Sequence, residues 1–399
     1  MARGKHRSRA PVALMAAAAT LLTAGGIVVS TSTADAGSGA RDGASSAISQ
    51  LASTGNKDPR GDSEGTRNGR KERGEKREGK KREGQKRDAQ RKAAAQDAVA
   101  VEFPGRERAG GPARRDFVRI EQVRPNVEDV QPRRDASTGT FTSSCGTNAE
   151  GHRNSDNFMV APGKRNGAQH VHDYVGNLST NAFSTDESLH AAGTTCDNDD
   201  QSTYFWPVLR DTSQRGDDSL IDGGGLDGNL GEILRPATAQ LQFRGNPTTK
   251  VTPMPDDLTM IMGDAKAVTN GDDDARAAWT CTGFENRTTT KYPLCPQDSQ
   301  LVRILDFPSC WDGNNLDSAN HRDHVTFPRR DGSCSRGRVA IPQLRMTLAY
   351  DQPASGRLAL DSFPDQRHNP ATDHADFMAI MPEALLQQMA NCINNGETC

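Results

Sequence analysis

The chain is poor in aromatic residues, 5% of 399, and it lacks most signatures that would name a chemistry. No two cysteines form a C-x-x-C pair, which argues against a thiolate zinc site. No G-x-S-x-G motif is present, so a nucleophile elbow is excluded. Gly223-Gly224-Gly225 lies in an Asp/Gly-rich stretch without the strand–helix setting of a phosphate-cradling loop. Beyond residue 36 no run is apolar enough to span a bilayer, so the mature chain is expected to have no membrane span. No cysteine precedes Cys145.

What is present begins with an export signal. Arg3, Lys5, Arg7 and Arg9 form a basic start, an apolar stretch runs from Pro11 to Val29, and Ala34-Asp35-Ala36 is a small-x-small site. Residues 1–36 therefore read as a secretory signal peptide. The even count of eight cysteines agrees with an oxidising, extracellular setting. Eight cysteines allow 105 pairings, and connectivity stays open. Proximity in sequence makes Cys281–Cys295, Cys310–Cys334 and Cys392–Cys399 candidates, with Cys145–Cys196 left over.

The net charge of −3 hides an asymmetry. Between Lys57 and Lys92 there are 15 basic and 8 acidic residues, an excess of +7, and with the signal counted the remainder from residue 93 carries −13. Residues 37–116 hold a Lys/Arg-Arg-Glu-Gly repeat with no apolar side chain to offset ordering entropy, so a disordered linker is expected. The run from Lys86 to Ala100 has the propensity for a short frayed helix. The linker is either a solvated spacer or a polybasic tether to anionic cell-wall polymer. Residues 117–143 read as a connecting segment and 144–399 as the globular domain, whose acidity makes it a poor nucleic-acid binder.

Within that domain short apolar runs recur between Gly, Pro, Asp and Asn. Ala237, Ala239, Leu241 and Phe243 alternate with polar residues; Leu258–Met262, Leu301–Leu305 and Val339–Tyr350 are strand-like in length. Helical periodicity is clear only from Pro382 to Cys392, where Leu385, Leu386 and Met389 share a face, with a shorter helix expected around Ser184–Ala192. The expected fold is mainly β, with α+β as the alternative: one disulfide-stapled, β-sandwich-like domain with long loops and a short C-terminal helix.

Five of the nine histidines fall into three polar clusters that pair imidazole with carboxylate. His170 and His172, followed by Asp173, share one face if they lie on a strand, giving half of a metal site or a base with its orienting partner. His321 and His324 follow an Asp/Asn-rich stretch that contains Asp312 and Trp311. His374 and Asp376 precede the terminal helix. Each cluster also has a bland reading, as loop or turn hydrogen bonding. Tyr204, Trp206 and Trp311 are candidate sugar-stacking rings, although buried aromatics are the commoner case. Asn177 and Asn286 head glycosylation sequons.

Several of these segments together resemble one family. His170-Val-His-Asp173, Gly193-Thr-Thr-Cys196, Pro253-Met-Pro255, Met260-Ile-Met-Gly263, Cys310-Trp-Asp-Gly-Asn-Asn-Leu-Asp-Ser318 with His321 and His324, Ile341-Pro-Gln-Leu344 and His374-Ala-Asp-Phe377 are similar to the DUF1996 family, in the same order, from about residue 144 to 395. Phe327 stands where that family usually has Tyr, and Met378 begins a stretch without its frequent Trp. The resemblance implies a secreted microbial protein in a polysaccharide setting and brings no reaction with it. The expectation is a secreted protein acting on extracellular or cell-wall polysaccharide. His170, His172, His321, His324 and His374 would form the site, with Asp173, Asp312 and Asp376 as partners. It would work by acid/base hydrolysis, or through a divalent metal such as zinc or copper held by His170, His172, His321 and His324. The alternative is a non-catalytic carbohydrate-binding module that uses Tyr204, Trp206 or Trp311.

Overall fold

Alternation of apolar and polar side chains builds the first of two five-stranded sheets. In the computed structural model, which describes residues 111–353 and 356–399, the strand Gln343–Tyr350 buries Leu344, Met346 and Leu348 and leaves Gln343, Arg345 and Thr347 half-buried. The expected signal segment, the basic repeat and the helix-prone stretch from Lys86 to Ala100 lie outside the described residues. Leu344 pairs with Phe243 and Met346 with Leu241 on the neighbouring strand Thr238–Arg244. This sheet runs Trp279–Cys281, Leu301–Asp306, Gln343–Tyr350, Thr238–Arg244, Thr140–Ser143, antiparallel throughout. Its edge strand Thr140–Ser143, and Phe117–Arg119 paired in parallel with Tyr292–Leu294, come from the segment expected to connect. The apolar run from Val339 to Tyr350 is two strands, Val339–Ala340 and Gln343–Tyr350, because Pro342 between them has no N–H to donate.

The second sheet runs Arg153–Asn154, His172–Gly176, Thr203–Pro207, His374–Met378, Thr259–Gly263, also antiparallel. Val175, Tyr204, Trp206, Met260, Met262 and Phe377 point from it into the core shared with the first sheet. The Phe377 ring lies 6.0 Å from Phe243 and 6.1 Å from Phe307. Each large apolar side chain buried there contributes ~1.5–3 kcal/mol. Two sheets over one core make this mainly β domain a sandwich.

The second sheet departs from simple alternation. All five residues are buried in each of its strands His172–Gly176, Thr203–Pro207, Thr259–Gly263 and His374–Met378. Its outer face, away from the core, carries His172, Tyr174, Phe205 and Ile261 and is covered by Phe158, Met159 and Phe363 from flanking loops. Gly263 ends its strand at φ 78°, and a Cβ there would lie 2.3 Å from the Asp373 carbonyl oxygen and 2.9 Å from the His374 Cα. Only glycine permits that approach.

Four disulfides pair Cys145–Cys196, Cys281–Cys295, Cys310–Cys334 and Cys392–Cys399, the pairing that proximity suggested. The terminal helix Glu383–Asn395 follows Pro382, buries Leu386, Met389 and Ile393, and closes on Gly396 in the left-handed conformation. The shorter helix is Asp186–His190, capped by Thr185. Among the described residues no helix is long and apolar enough to cross a membrane.

Candidate functional site: a three-histidine centre on the outer face

The outer face of the second sheet gathers the site. His170 and His172 are two apart at the entry to a strand, so their rings project to the same side. Register places His172 opposite Pro207 and Asp376 opposite Phe205, which brings His374 to the level of His172 from the far side of the intervening strand. The His170 ring fills the space between them. Its Nε2 lies 3.0 Å from Nε2 of His172 and 3.2 Å from Nε2 of His374.

The opposite nitrogens of the rings decide what this convergence means. Nδ1 of His172 faces the Asp156 carbonyl at 3.2 Å and Nδ1 of His374 faces the Thr372 carbonyl at 2.8 Å. A carbonyl only accepts, so Nδ1 carries the proton and Nε2 presents a lone pair. Nδ1 of His170 is turned toward the Ala168 carbonyl without completing a hydrogen bond. Burial pushes the His170 and His172 imidazoles well below their ordinary range, and the neighbouring histidines add to it; burial also lowers His374. His172 and His374 thus present lone pairs, and His170 Nε2 meets them either as an N–H donor or as a third lone pair turned toward a shared cation. Zinc–nitrogen bonds of ~2.0–2.1 Å in a tetrahedral site set ligand nitrogens about 3.3 Å apart, close to the spacing found here. All three rings are within reach of a single ion.

Buried ion pairs hold each of these histidines from behind. Arg153 Nε donates to Asp173, the residue after His172, at 2.6 Å. Arg303 crosses from the first sheet and donates to Asp373, the residue before His374, at 2.5 Å. Arg210 donates to Asp361 at 2.5 Å, and the other Asp361 oxygen accepts the backbone N–H of Val171, between His170 and His172, at 3.2 Å. Burial raises the Asp173 and Asp361 carboxyls, opposed by their arginines. Arg210, Arg303, Asp361 and Asp373 are wholly buried, so losing one partner strands a charge in the interior.

A cavity of about 620 Å³ opens over His170 and His374. Asp376, on the same strand face as His374, lines it and accepts from Asn157 Nδ2 at 3.3 Å. Burial raises its carboxyl to about 7 against the pull of Arg322. Lys266, Arg322 and Phe363 also line the cavity, and all three escaped the sequence reading. Arg322 stood between the two histidines of the second cluster; nothing in sequence marked Lys266 or Phe363.

Of the expected site residues, the structure brings together His170, His172, His374 and Asp376, and not the others. His324 is buried at the far end of the strand Thr259–Gly263, its Nε2 on the Thr259 carbonyl and its Nδ1 3.0 Å from Ser318 Oγ. Gly263, the partner of His374, is four residues along that strand, roughly 13 Å away. His324 is thus no ligand of the cluster. His321 sits in the left-handed region at φ 55° and pairs with Asp317 at 2.9 Å. Asp312 accepts the backbone N–H groups of Asn314 and Asn315 and so closes its own turn. Asp173 faces Arg153 and Asn148, away from the converging nitrogens. Tyr204 and Trp206 have no exposed surface, so neither presents a ring to a sugar. Trp311 is half-buried and its Nε1 donates to the Asn315 carbonyl. Asn177 is buried and donates to two backbone carbonyls, which removes it as a glycosylation acceptor in the folded chain.

No curated protein and no solved structure matches the chain. A family model does, over residues 158–379, a span that holds His170, His172, His374, Asp376 and every cavity residue named above except Asn157. The chain belongs to the DUF1996 family, described as a domain of unknown function.

Proposed function

We propose that His170, His172 and His374 hold a divalent metal ion, and that the protein is a secreted, metal-dependent hydrolase or lyase acting on extracellular or cell-wall polysaccharide. The observation that carries this reading is the convergence of three imidazole Nε2 atoms, with the opposite nitrogens of His172 and His374 on backbone carbonyls. Three protein ligands with one side open is the pattern of a catalytic metal rather than a closed structural one. An ion held by these residues would supply Lewis-acid activation of water or of a substrate oxygen. Asp376, which lines the same cavity, would hold a substrate hydroxyl or exchange a proton, and the cavity has the size of one or two sugar rings. Four disulfides suit an extracellular setting, and the charged side chains among the cavity's lining suit a polyhydroxylated substrate from that setting.

Elemental analysis of the purified protein tests it. One equivalent of zinc or copper is expected, lost in His172→Ala and retained in His324→Ala. Metal that survives His172→Ala, or none after incubation with either ion, would reject the metal centre. Wild-type activity of His172→Ala on a polysaccharide it cleaves would reject the catalytic reading.

A further inference from the structure

The charges that line the cavity are not equivalent. Its acidic groups accept hydrogen bonds from local neutral donors. Asp264 accepts the Lys266 N–H at 2.7 Å and the Asn270 side chain at 3.0 Å. Asp365 accepts from Gln366 at 3.1 Å, and Asp376 from Asn157. The cations are less engaged. The Lys266 ammonium stands 4.5 Å above the Phe363 ring, and it makes no ion pair with a described residue. The Phe363 ring in turn meets the edge of His170 at 5.2 Å. Arg322 Nη2 donates to the Gly263 carbonyl at 2.7 Å, which fixes the guanidinium beside His374, the strand partner of Gly263. Its Nε side is 3.7 Å from the exposed Asp274, and its Nη1 makes no hydrogen bond with a described residue.

Lys266 and Arg322 thus line the same cavity as His170 and His374, each held in place by a contact that leaves donors over. Three neutral imidazoles bring no charge to cancel a bound ion, so the full positive charge of a metal would add to theirs. The Nη1 of an anchored guanidinium and an ammonium over an aromatic ring offer donors to an oxyanion.

We infer that this cavity binds an anionic sugar unit, with Lys266 and Arg322 flanking its negative group at the metal. The inference rests on the metal reading above and narrows its substrate to acidic polysaccharide. A uronate carboxylate and a phosphodiester offer the same oxyanion, and both belong to extracellular polymers.

The test uses the full chain loaded with zinc, and calorimetric titration with short oligomers: trigalacturonate, a glycerol-phosphate trimer, and neutral cellotriose. The comparison proteins are Lys266→Gln and Arg322→Gln. Lys266 is exposed, so its substitution leaves folding intact. The basic linker is the same in all of them, so only the difference between variants reports on the cavity. Binding of one anionic trimer is expected, weakened about 10-fold or more by either substitution, with zinc content unchanged. Preference for trigalacturonate would identify a uronate polymer, and preference for the glycerol-phosphate trimer a phosphate-linked one. Equal binding of cellotriose, anion binding unaffected by both substitutions, or no binding at all by zinc-loaded protein would overturn the inference while leaving the metal centre in place. Failure to load zinc would instead count against the metal reading.

Discussion

The two histidine-rich segments of this protein use the same residue types for different ends. His170, His172 and His374 stand on a sheet covered on both faces, with carbonyls behind them and each other in front. His321 and His324 stand in a loop, and their partners are the loop's own Asp317 and Ser318 and one strand carbonyl. Imidazoles in a loop can turn to local partners and satisfy themselves. Imidazoles projecting from neighbouring strands are held where the sheet puts them, whether or not that leaves lone pairs facing. Unsatisfied convergence on a rigid frame is therefore the better sign of a ligand site than local density of His and Asp. The loop still contributes to the site, through Arg322 rather than through either histidine.

The largest way to break the contrast is to remove a brace. Arg303→Met leaves Asp373 buried without its partner beside His374, and ~3–5 kcal/mol of stability should be lost in denaturant unfolding. If the braces also orient the ligands, the milder Asp361→Asn should weaken metal binding by ~10–100-fold, as outer-shell partners do, read by competition with a chelating dye. Unchanged metal affinity in Asp361→Asn would make these pairs supports of the fold alone.

Acid separates the two regions next. Burial lowers His170, His172 and His374 from an ordinary value of 6.5. As pH falls through that value the unfolded chain takes up protons before the folded one does. The stability these neutral rings contribute is present above about 6.5 and lost below it. Metal-free protein should therefore melt at progressively lower temperature from about pH 7 to 5, and His170→Phe should flatten that slope. An unaltered slope in the variant would place the acid sensitivity elsewhere.

The smallest effect belongs to the loop. His321→Ala should change stability by no more than ~0.5 kcal/mol, as surface substitutions do, and leave metal content and oligomer binding as they were. A loss of metal in His321→Ala would erase the distinction drawn between the two clusters.

Much of the first sheet was legible because one of its faces meets the core and the other meets water. The alternation at Leu241 and Phe243, and at Leu344, Met346 and Leu348, is the direct imprint of that arrangement. In the second sheet both faces are covered, alternation disappears, and the pairing of His172 with Pro207 or Gly263 with His374 left no trace in sequence. His170 and His172 were readable as a pair because period two is a local property of a strand. That His374, 204 residues from His170, joins them while the equally expected His321 and His324 do not was not. Trp206 shows the opposite error: an aromatic side chain reads as a sugar platform or a core residue until its burial is known.

The sequence by itself determined the mainly β class, the disulfide-rich domain, the terminal helix, the family and the residue types from which a site could be made. These follow from composition, local periodicity and ordered motifs, all of which act over short stretches of chain. The tertiary structure alone decided which histidines converge, which aspartates became braces, and that Lys266 and Arg322 face the same cavity. Those depend on strand order and register, and register is chosen by the packing of the whole sandwich rather than by any segment within it.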